Sequence, residues 1–221
     1  MMINKYIDHT LLKPAATQEE ISKLCNEAIK YKFYAVCVNG SYVKFAKEKL
    51  KDSNVKIAAV IGFPLGAMTT EAKVFGAKNC IEHGADEIDM VINIGYLKGK
   101  EYAYVEKEIF EIKQAIGEKI LKVIFENAAL SKDEIKLVSK LSENAGADYI
   151  KTSTGFGDGG ATFEDVKLMR ESVGDHVKIK AAGGIRDVDT AKKYIEMGVE
   201  RLGTSSGVLL VTTGLSDKNS Y

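Results

Sequence analysis

The length, composition and charge of this 221-residue chain exclude several classes of protein. With 45% hydrophobic and 28% charged residues it has the composition of a soluble globular protein, and 31 basic residues balance 31 acidic ones. That balance argues against general binding to nucleic acid or to a membrane surface, so we expect small molecules as partners.

Location and cofactor chemistry are limited by what the sequence lacks. No apolar run approaches the ~18 residues that a membrane-spanning helix needs, and we expect a cytoplasmic protein. Cys25, Cys37 and Cys80 form no CxxC pair and are expected to be reduced core residues. The three histidines show no i, i+4 spacing, so the sequence predicts neither a metal site nor a cofactor.

Strand-forming runs alternate with helical periodicity along the whole chain. Apolar residues three and four apart indicate the helices, and capping signatures mark three starts, at Thr17, Ser131 and, in an acidic variant, Thr162 with Asp165. The predicted strands cover residues 6–9, 34–38, 56–61, 87–92, 121–125, 149–152, 177–181 and 201–204.

Eight such units suit a TIM barrel, although an open, doubly wound α/β sheet would show the same alternation. Single barrels commonly run to ~200–250 residues, and no linker interrupts the chain. We therefore predict one (β/α)8 barrel over residues 1–214, followed by a flexible C-terminal tail over residues 215–221.

Chemistry in a barrel of this type lies at the C-terminal ends of the strands. Lys151 falls at the end of the sixth strand, and the glycine-rich segment 153–160 follows it at once. Two further strand ends are rich in glycines and hydroxyl groups. Such loops let backbone amides surround an anion, which predicts a phosphate rim. The candidate rim residues are Thr154, Gly155, Gly183, Gly184, Ser205 and Ser206.

A lysine inside a strand is most often a surface residue, but a second lysine on the next strand favours a functional interpretation. Lys178 and Lys180 share one face of the seventh strand, and Lys180 stands nearer the glycine loop. If Lys151 and Lys180 both point inward, burial and mutual repulsion would leave one amine neutral near physiological pH. A neutral amine can attack a carbonyl and form a Schiff base.

Asp89 lies among apolar residues of the fourth strand, where a carboxylate is costly unless it is paired. One interpretation is a structural salt bridge with a nearby lysine. The other is a proton shuttle for Schiff-base chemistry.

Many blocks in this order and spacing resemble deoxyribose-phosphate aldolase over nearly the whole chain. The blocks that carry the resemblance are residues 8–10, 35–37, 60–64, 86–89, 122–124, 151–157, 180–186 and 203–207. The resemblance implies a class I aldolase that reversibly cleaves 2-deoxy-D-ribose 5-phosphate into D-glyceraldehyde 3-phosphate and acetaldehyde, with a role in deoxynucleoside breakdown. It leaves open whether the chain forms a homodimer or a homotetramer.

The resemblance also implies roles for individual residues. Lys151 matches the Schiff-base lysine, Lys180 the lysine that perturbs it, and Asp89 the proton donor and acceptor. Cys37 and Thr10 match accessory positions near the substrate. The six candidate rim residues fall within the matching glycine and serine loops.

Three features call for separate tests. Phe125 and Asn127 flank Glu126 where the family usually has a threonine after the glutamate, and Asp158 stands where a small uncharged residue is commoner. A carboxylate at position 158 would repel a phosphate if it faced the rim. Tyr221 matches a terminal tyrosine that, in several members of the family, reaches the active site and assists proton transfer.

The sequence is also compatible with other functional classes. A barrel could bind a sugar phosphate without turning it over, but a passive binder has no reason to bury Lys151, Lys180 and Asp89 together. A phosphosugar isomerase or a metal-dependent aldolase is weakened because no metal-ligand set is visible and isomerisation needs no imine.

Overall fold

Eight parallel strands form the centre of the molecule and close on themselves. The computed structural model describes residues 2–214. Each strand pairs with the next in chain order, and β8 returns to β1 with Ile7 opposite Leu202. This closure confirms the TIM barrel and excludes the open sheet. The strands are β1 (Ile7–Leu11), β2 (Ala35–Asn39), β3 (Lys56–Ile61), β4 (Glu87–Val91), β5 (Ile120–Ile124), β6 (Tyr149–Lys151), β7 (Lys178–Ala182) and β8 (Val199–Thr204).

Helices connect successive strands on the outside of the barrel. Within residues 2–214 the α-helices are α1 (Gln18–Tyr31), α2 (Val43–Leu50), α3 (Thr70–Glu82), α4 (Ile94–Lys98), α5 (Tyr102–Ile116), α6 (Lys132–Asn144), α7 (Phe163–Ser172), α8 (Val188–Glu196) and α9 (Gly207–Thr212). None of these helices has both the length and the apolar character that crossing a membrane requires. Residues 215–221, including Tyr221, lie outside the described part of the chain, and the predictions about them stay predictions.

The structure contains all three predicted helix starts, and one of them differs in its side-chain contacts. Thr17 and Ser131 each form a capping box with the glutamate three residues later. Thr162 accepts a hydrogen bond from the backbone N–H of Asp165, at 3.0 Å. The Asp165 carboxylate, however, lies 2.6 Å from Lys132 Nζ. The reciprocal half of the predicted acidic variant is absent from this helix start because the carboxylate pairs with a cation on α6.

Strand alternation separates two different environments. In β3, Ile57, Ala59 and Ile61 belong to the large core between barrel and helices. Ala58 and Val60 alternate with them and form a small apolar cluster inside the barrel, together with Leu12 and Cys37. All three cysteines are free and buried, as predicted. Charged side chains from six strands occupy the middle of the barrel interior, and they form the site.

Candidate active site

Seven charged side chains fill the middle of the barrel, and none of these residues is more than 3% exposed. They come from six strands and meet because inward positions recur every second residue. The seven are Asp8 on β1, Glu87 and Asp89 on β4, Lys122 on β5, Lys151 on β6, Lys180 on β7 and Arg201 on β8. We call this set the barrel ion cluster.

Asp89 is the hub of the barrel ion cluster. Its Oδ1 accepts a hydrogen bond from Lys122 Nζ at 2.7 Å. Its Oδ2 accepts from Lys180 Nζ at 2.8 Å and from Lys151 Nζ at 3.0 Å. The sequence left a structural salt bridge and a catalytic carboxylate as alternatives. The geometry makes Asp89 an ion-pair partner that also touches the candidate nucleophile.

A second tier of the cluster lies beneath Asp89. Lys122 Nζ reaches Glu87 Oε2 at 2.5 Å. Arg201 donates to Asp8 Oδ1 at 2.9 Å and also to Glu87, and Lys180 donates to Asp8. These contacts form a continuous polar network from Lys151 at the end of β6 down into the barrel.

The charge count singles out Lys151. Four cations face three carboxylates in the barrel ion cluster. Among residues 2–214, Lys122, Lys180 and Arg201 each contact two carboxylates, whereas Lys151 contacts Asp89 alone. Loss of the Lys151 proton would therefore leave the cluster neutral and cost the fewest ion pairs.

The electrostatic environment favours that loss. Burial lowers the pKa of Lys151 below its usual value, and Lys180 adds to this effect, although Asp89 opposes it. Burial alone would also lower the pKa of Lys180, but Asp8 and Asp89 outweigh it and hold the pKa well above the usual value. Of the two lysines, Lys180 keeps its proton and Lys151 releases it more readily.

Asp89 stays ionised at neutral pH. Burial alone would raise its pKa, but Lys122, Lys180 and Lys151 together hold the pKa well below the usual value. A proton that reaches this carboxylate is therefore held only weakly.

The predicted rim loops meet each other at glycines. Gly155, Gly183 and Gly184 all adopt left-handed backbone conformations, with φ of 86°, 76° and 75°. A side chain on Gly160 would place its Cβ 2.4 Å from the carbonyl carbon of Gly183. The backbones after β6 and β7 therefore approach each other more closely than any residue with a side chain would allow.

The loop after β8 brings its hydroxyl groups to the same end of the barrel. Ser205 and Ser206 line a cleft of about 430 Å³ together with Thr10. The Ser205 hydroxyl is buried and has no hydrogen-bond partner within the described residues. The Thr10 hydroxyl donates to the Asp8 carbonyl at 2.8 Å and so helps to fix the end of β1.

The remaining predicted residues take distinct positions. Cys37 is fully buried in the small apolar cluster inside the barrel, and burial raises the pKa of its thiol. Phe125 is fully buried, and Asn127 donates its backbone N–H to the Thr152 carbonyl at 2.9 Å. Both residues therefore pack behind the rim, while Asp158 is exposed on the loop after β6.

Sequence reasoning gave no role to four members of the barrel ion cluster and to one loop carboxylate. Asp8, Glu87, Lys122 and Arg201 carried a usable signal, since each is a charged residue within a strand. Glu126 follows β5, and its buried side chain contacts the loop after β6. These contacts depend on a left-handed backbone, which a glutamate in a sequence does not indicate.

The closed barrel, with Lys151 buried at the C-terminal end of β6 and paired with Asp89, is a TIM barrel whose candidate site lies toward the end where barrel enzymes carry their chemistry. The model of a family described as "DeoC/LacD family aldolase" matches residues 2–210. The chain belongs to this family of aldolases.

Individual relatives cover nearly the whole chain. A deoxyribose-phosphate aldolase of Exiguobacterium sp. is 52% identical over 99% of this chain and 100% of its own length. Another from Thermococcus gammatolerans is 57% identical over 96% of each chain. A solved structure described as a tetrameric deoxyribose phosphate aldolase from Aeropyrum pernix has a TM-score of 0.87 and 30% identity, covering 96% of this chain and 90% of its own.

Proposed function

We propose that this aldolase reversibly cleaves 2-deoxy-D-ribose 5-phosphate into D-glyceraldehyde 3-phosphate and acetaldehyde through a Schiff base on Lys151. The observation that carries the proposal is the charge imbalance of the barrel ion cluster, which favours a neutral Lys151. The names of the relatives support the substrate. The physiological role that we propose is breakdown of deoxynucleosides in the cytoplasm.

Imine formation is the first step of the proposed reaction. The neutral Lys151 amine attacks the aldehyde carbon C1 of the open-chain sugar, and a carbinolamine forms. Asp89 Oδ2, 3.0 Å from Lys151 Nζ, accepts a proton from the attacking nitrogen. Loss of water then gives an iminium ion, which restores the positive charge that Lys151 gave up.

Bond cleavage uses this iminium as an electron sink. A proton leaves the C3 hydroxyl, the C2–C3 bond breaks, and its electron pair forms an enamine while D-glyceraldehyde 3-phosphate departs. Protonation of the enamine at C2 and hydrolysis by water release acetaldehyde and regenerate the amine. Lys180 keeps its charge throughout, and Asp89 relays protons.

The glycine loops supply the proposed phosphate site. Gly155, Gly183 and Gly184 carry no side chain that would keep a phosphate from the backbone, and the Ser205 hydroxyl, which has no partner within the described residues, adds a donor beside Ser206 after β8. A phosphate there would hold the sugar with its C1 directed toward Lys151.

A coupled assay tests the proposal. Acetaldehyde release from 2-deoxyribose 5-phosphate is followed through alcohol dehydrogenase and NADH, with Lys167→Met as the control because Lys167 is an exposed helix lysine. We expect Lys151→Met to lower kcat by about 1,000-fold or more and the control to match the wild type. A wild type that binds the sugar phosphate without turnover would instead make the chain a passive binder.

A further inference from the structure

Glu126 is a buried carboxylate outside the barrel ion cluster. It follows β5 directly, and its residue is 7% exposed. Within residues 2–214 it forms no ion pair with any lysine, arginine or histidine. Its backbone is left-handed, with φ of 59°, a conformation that residues other than glycine rarely adopt. A buried, unpaired carboxylate held in such a backbone calls for a functional reason.

Within residues 2–214, the side-chain hydrogen bonds of Glu126 run to the loop after β6. The backbone N–H of Thr154 donates to Oε2 at 3.3 Å and lies 3.4 Å from Oε1. The Thr154 hydroxyl also donates to Oε2. The hydroxyl is the donor because a carboxylate can only accept, and the same hydroxyl oxygen accepts the backbone N–H of Phe156 at 3.0 Å. One carboxylate therefore orders three consecutive residues of the loop.

The carboxylate also shapes the loop by contact. A side chain at Gly157 would place its Cβ 3.0 Å from Glu126 Cδ, so only glycine fits against it without movement. Beyond the loop, the Phe156 ring packs edge-on against Phe63 on the loop after β3, with ring centroids 5.3 Å apart. The position of the glycine loop across the barrel mouth thus depends on Glu126.

We propose that Glu126 is a positioning residue that holds the loop of residues 154–157 in its anion-binding form. This inference rests on the proposed function, and it assigns Thr154 to the loop anchor, since both its N–H and its hydroxyl bind Glu126. The carboxylate acts through Thr154 on Gly155, and it takes no part in the chemistry at Lys151. Its loss should weaken phosphate binding and leave imine formation intact.

Glu126→Gln tests this separation. The amide replaces one acceptor oxygen with a donor that faces the N–H and hydroxyl donors of Thr154. We expect KM for 2-deoxyribose 5-phosphate to rise about 10-fold or more, and KM for unphosphorylated 2-deoxyribose and the rate of Lys151 trapping by acetaldehyde with borohydride to change less than about 2-fold. Glu118→Gln, the same change at an exposed position before β5, is the control.

Thr154→Val supplies a second variant. It should raise the same KM, and the double variant should be no worse than the poorer single, because both changes break one bridge. Two measurements need no turnover: a 31P NMR titration with inorganic phosphate, and amide hydrogen exchange of the peptide spanning residues 153–157. Weaker phosphate binding and faster exchange in Glu126→Gln are expected.

The outcomes separate this inference from the proposed function. Absence of wild-type turnover would refute the proposed function, while the phosphate titration and the amide exchange would still decide the role of Glu126. Equal losses with both sugars and in trapping would show a general structural role and overturn the inference. Unchanged phosphate affinity and unchanged exchange in Glu126→Gln would overturn it as well.

Discussion

Lys151 and Lys180 donate to the same carboxylate oxygen, with their side-chain nitrogens 3.0 Å and 2.8 Å from Asp89 Oδ2. Lys180 also bonds Asp8, and Lys151 has no second carboxylate among residues 2–214. One oxygen thus connects a lysine that stays charged to a lysine that gives up its proton more easily. This asymmetry is the physical basis of the proposed chemistry.

Removal of Lys180 should slow imine formation at neutral pH. In Lys180→Met the barrel ion cluster keeps three cations and three carboxylates, so Lys151 no longer carries the excess charge. Its pKa should rise, and a smaller fraction of the amine is then neutral at pH 7. We expect borohydride trapping with acetaldehyde to slow about 10-fold or more at pH 7 and to recover as the pH increases.

The matched control is Lys178→Met, two residues earlier on β7, where the lysine is exposed and pairs with Glu200. Its trapping rate should follow the wild-type pH profile. A Lys180→Met profile that coincides with that of the wild type would refute the coupling between the two lysines.

Arg201 should matter for stability. Arg201→Leu leaves Asp8 and Glu87 without a shared buried partner, and breaking such a pair costs about 3–5 kcal/mol in the free energy of unfolding. Urea unfolding measures this cost. Lys178→Ala, which breaks the partly exposed pair with Glu200, should cost less than about 1 kcal/mol.

A double variant checks the reason for the Arg201 effect. Glu87 keeps Lys122 as a partner in Arg201→Leu but has already lost its contact with Arg201, so we expect the cost of Arg201→Leu combined with Glu87→Gln to be smaller than the sum of the two single costs. If the losses in unfolding free energy from the two substitutions were strictly additive, Arg201 would stabilise the barrel without any contribution from its pair with Glu87.

Acid should weaken the fold through the barrel ion cluster. Burial alone would raise the pKa values of Asp8 and Asp89, but neighbouring cations lower both below the usual value. An aspartate in the unfolded chain has a pKa of about 3.9, so the unfolded chain binds more protons than the folded protein as the pH falls. The stabilisation from these two ionised carboxylates is complete above this pH. It is lost as the pH falls through the lower pKa values that Asp8 and Asp89 have in the folded protein.

Urea unfolding between pH 7 and pH 3 measures this loss. The Asp89→Asn variant lacks one of the two groups, so its unfolding free energy should fall less steeply with acid than that of the wild type. Identical slopes would exclude Asp89 as a source of the pH dependence.

Asp158 should affect a phosphorylated substrate more than an unphosphorylated one. It is exposed on the loop after β6, which also carries Gly155 of the proposed phosphate site, and its charge would repel a phosphate there if it faces the rim. Asp158→Ser should lower KM for 2-deoxyribose 5-phosphate more than KM for 2-deoxyribose, and added salt should shrink the difference, because the Debye length is ~10 Å at 0.1 M. Equal changes for both sugars would show that the carboxylate does not sense the phosphate.

Much of the architecture could be predicted because local pattern determines it. The observed strand ends fall within two residues of the predicted ones, and Lys180 is buried while Lys178 near the start of β7 is exposed. Period-two alternation together with the position along the strand accounts for that difference.

The ion pairs across the barrel could not be predicted in this way. Lys122 lies beside Asp89 in the register of β4 and β5, and a register prediction could have paired them. Arg201 and Glu87 are 114 residues apart and meet only because the barrel closes with a particular stagger of its strands. Glu126 was missed for another reason, since its left-handed backbone turns the carboxylate toward the loop after β6.

Chemical trapping identifies the lysine that forms the imine. The wild-type protein is incubated with acetaldehyde, reduced with borohydride and digested, and the peptides are mapped by mass spectrometry. Burial and the proximity of Lys180 favour a neutral Lys151, so we expect a single reduced ethyl adduct on Lys151. An adduct on Lys180, or no adduct on any lysine of the barrel, would contradict it.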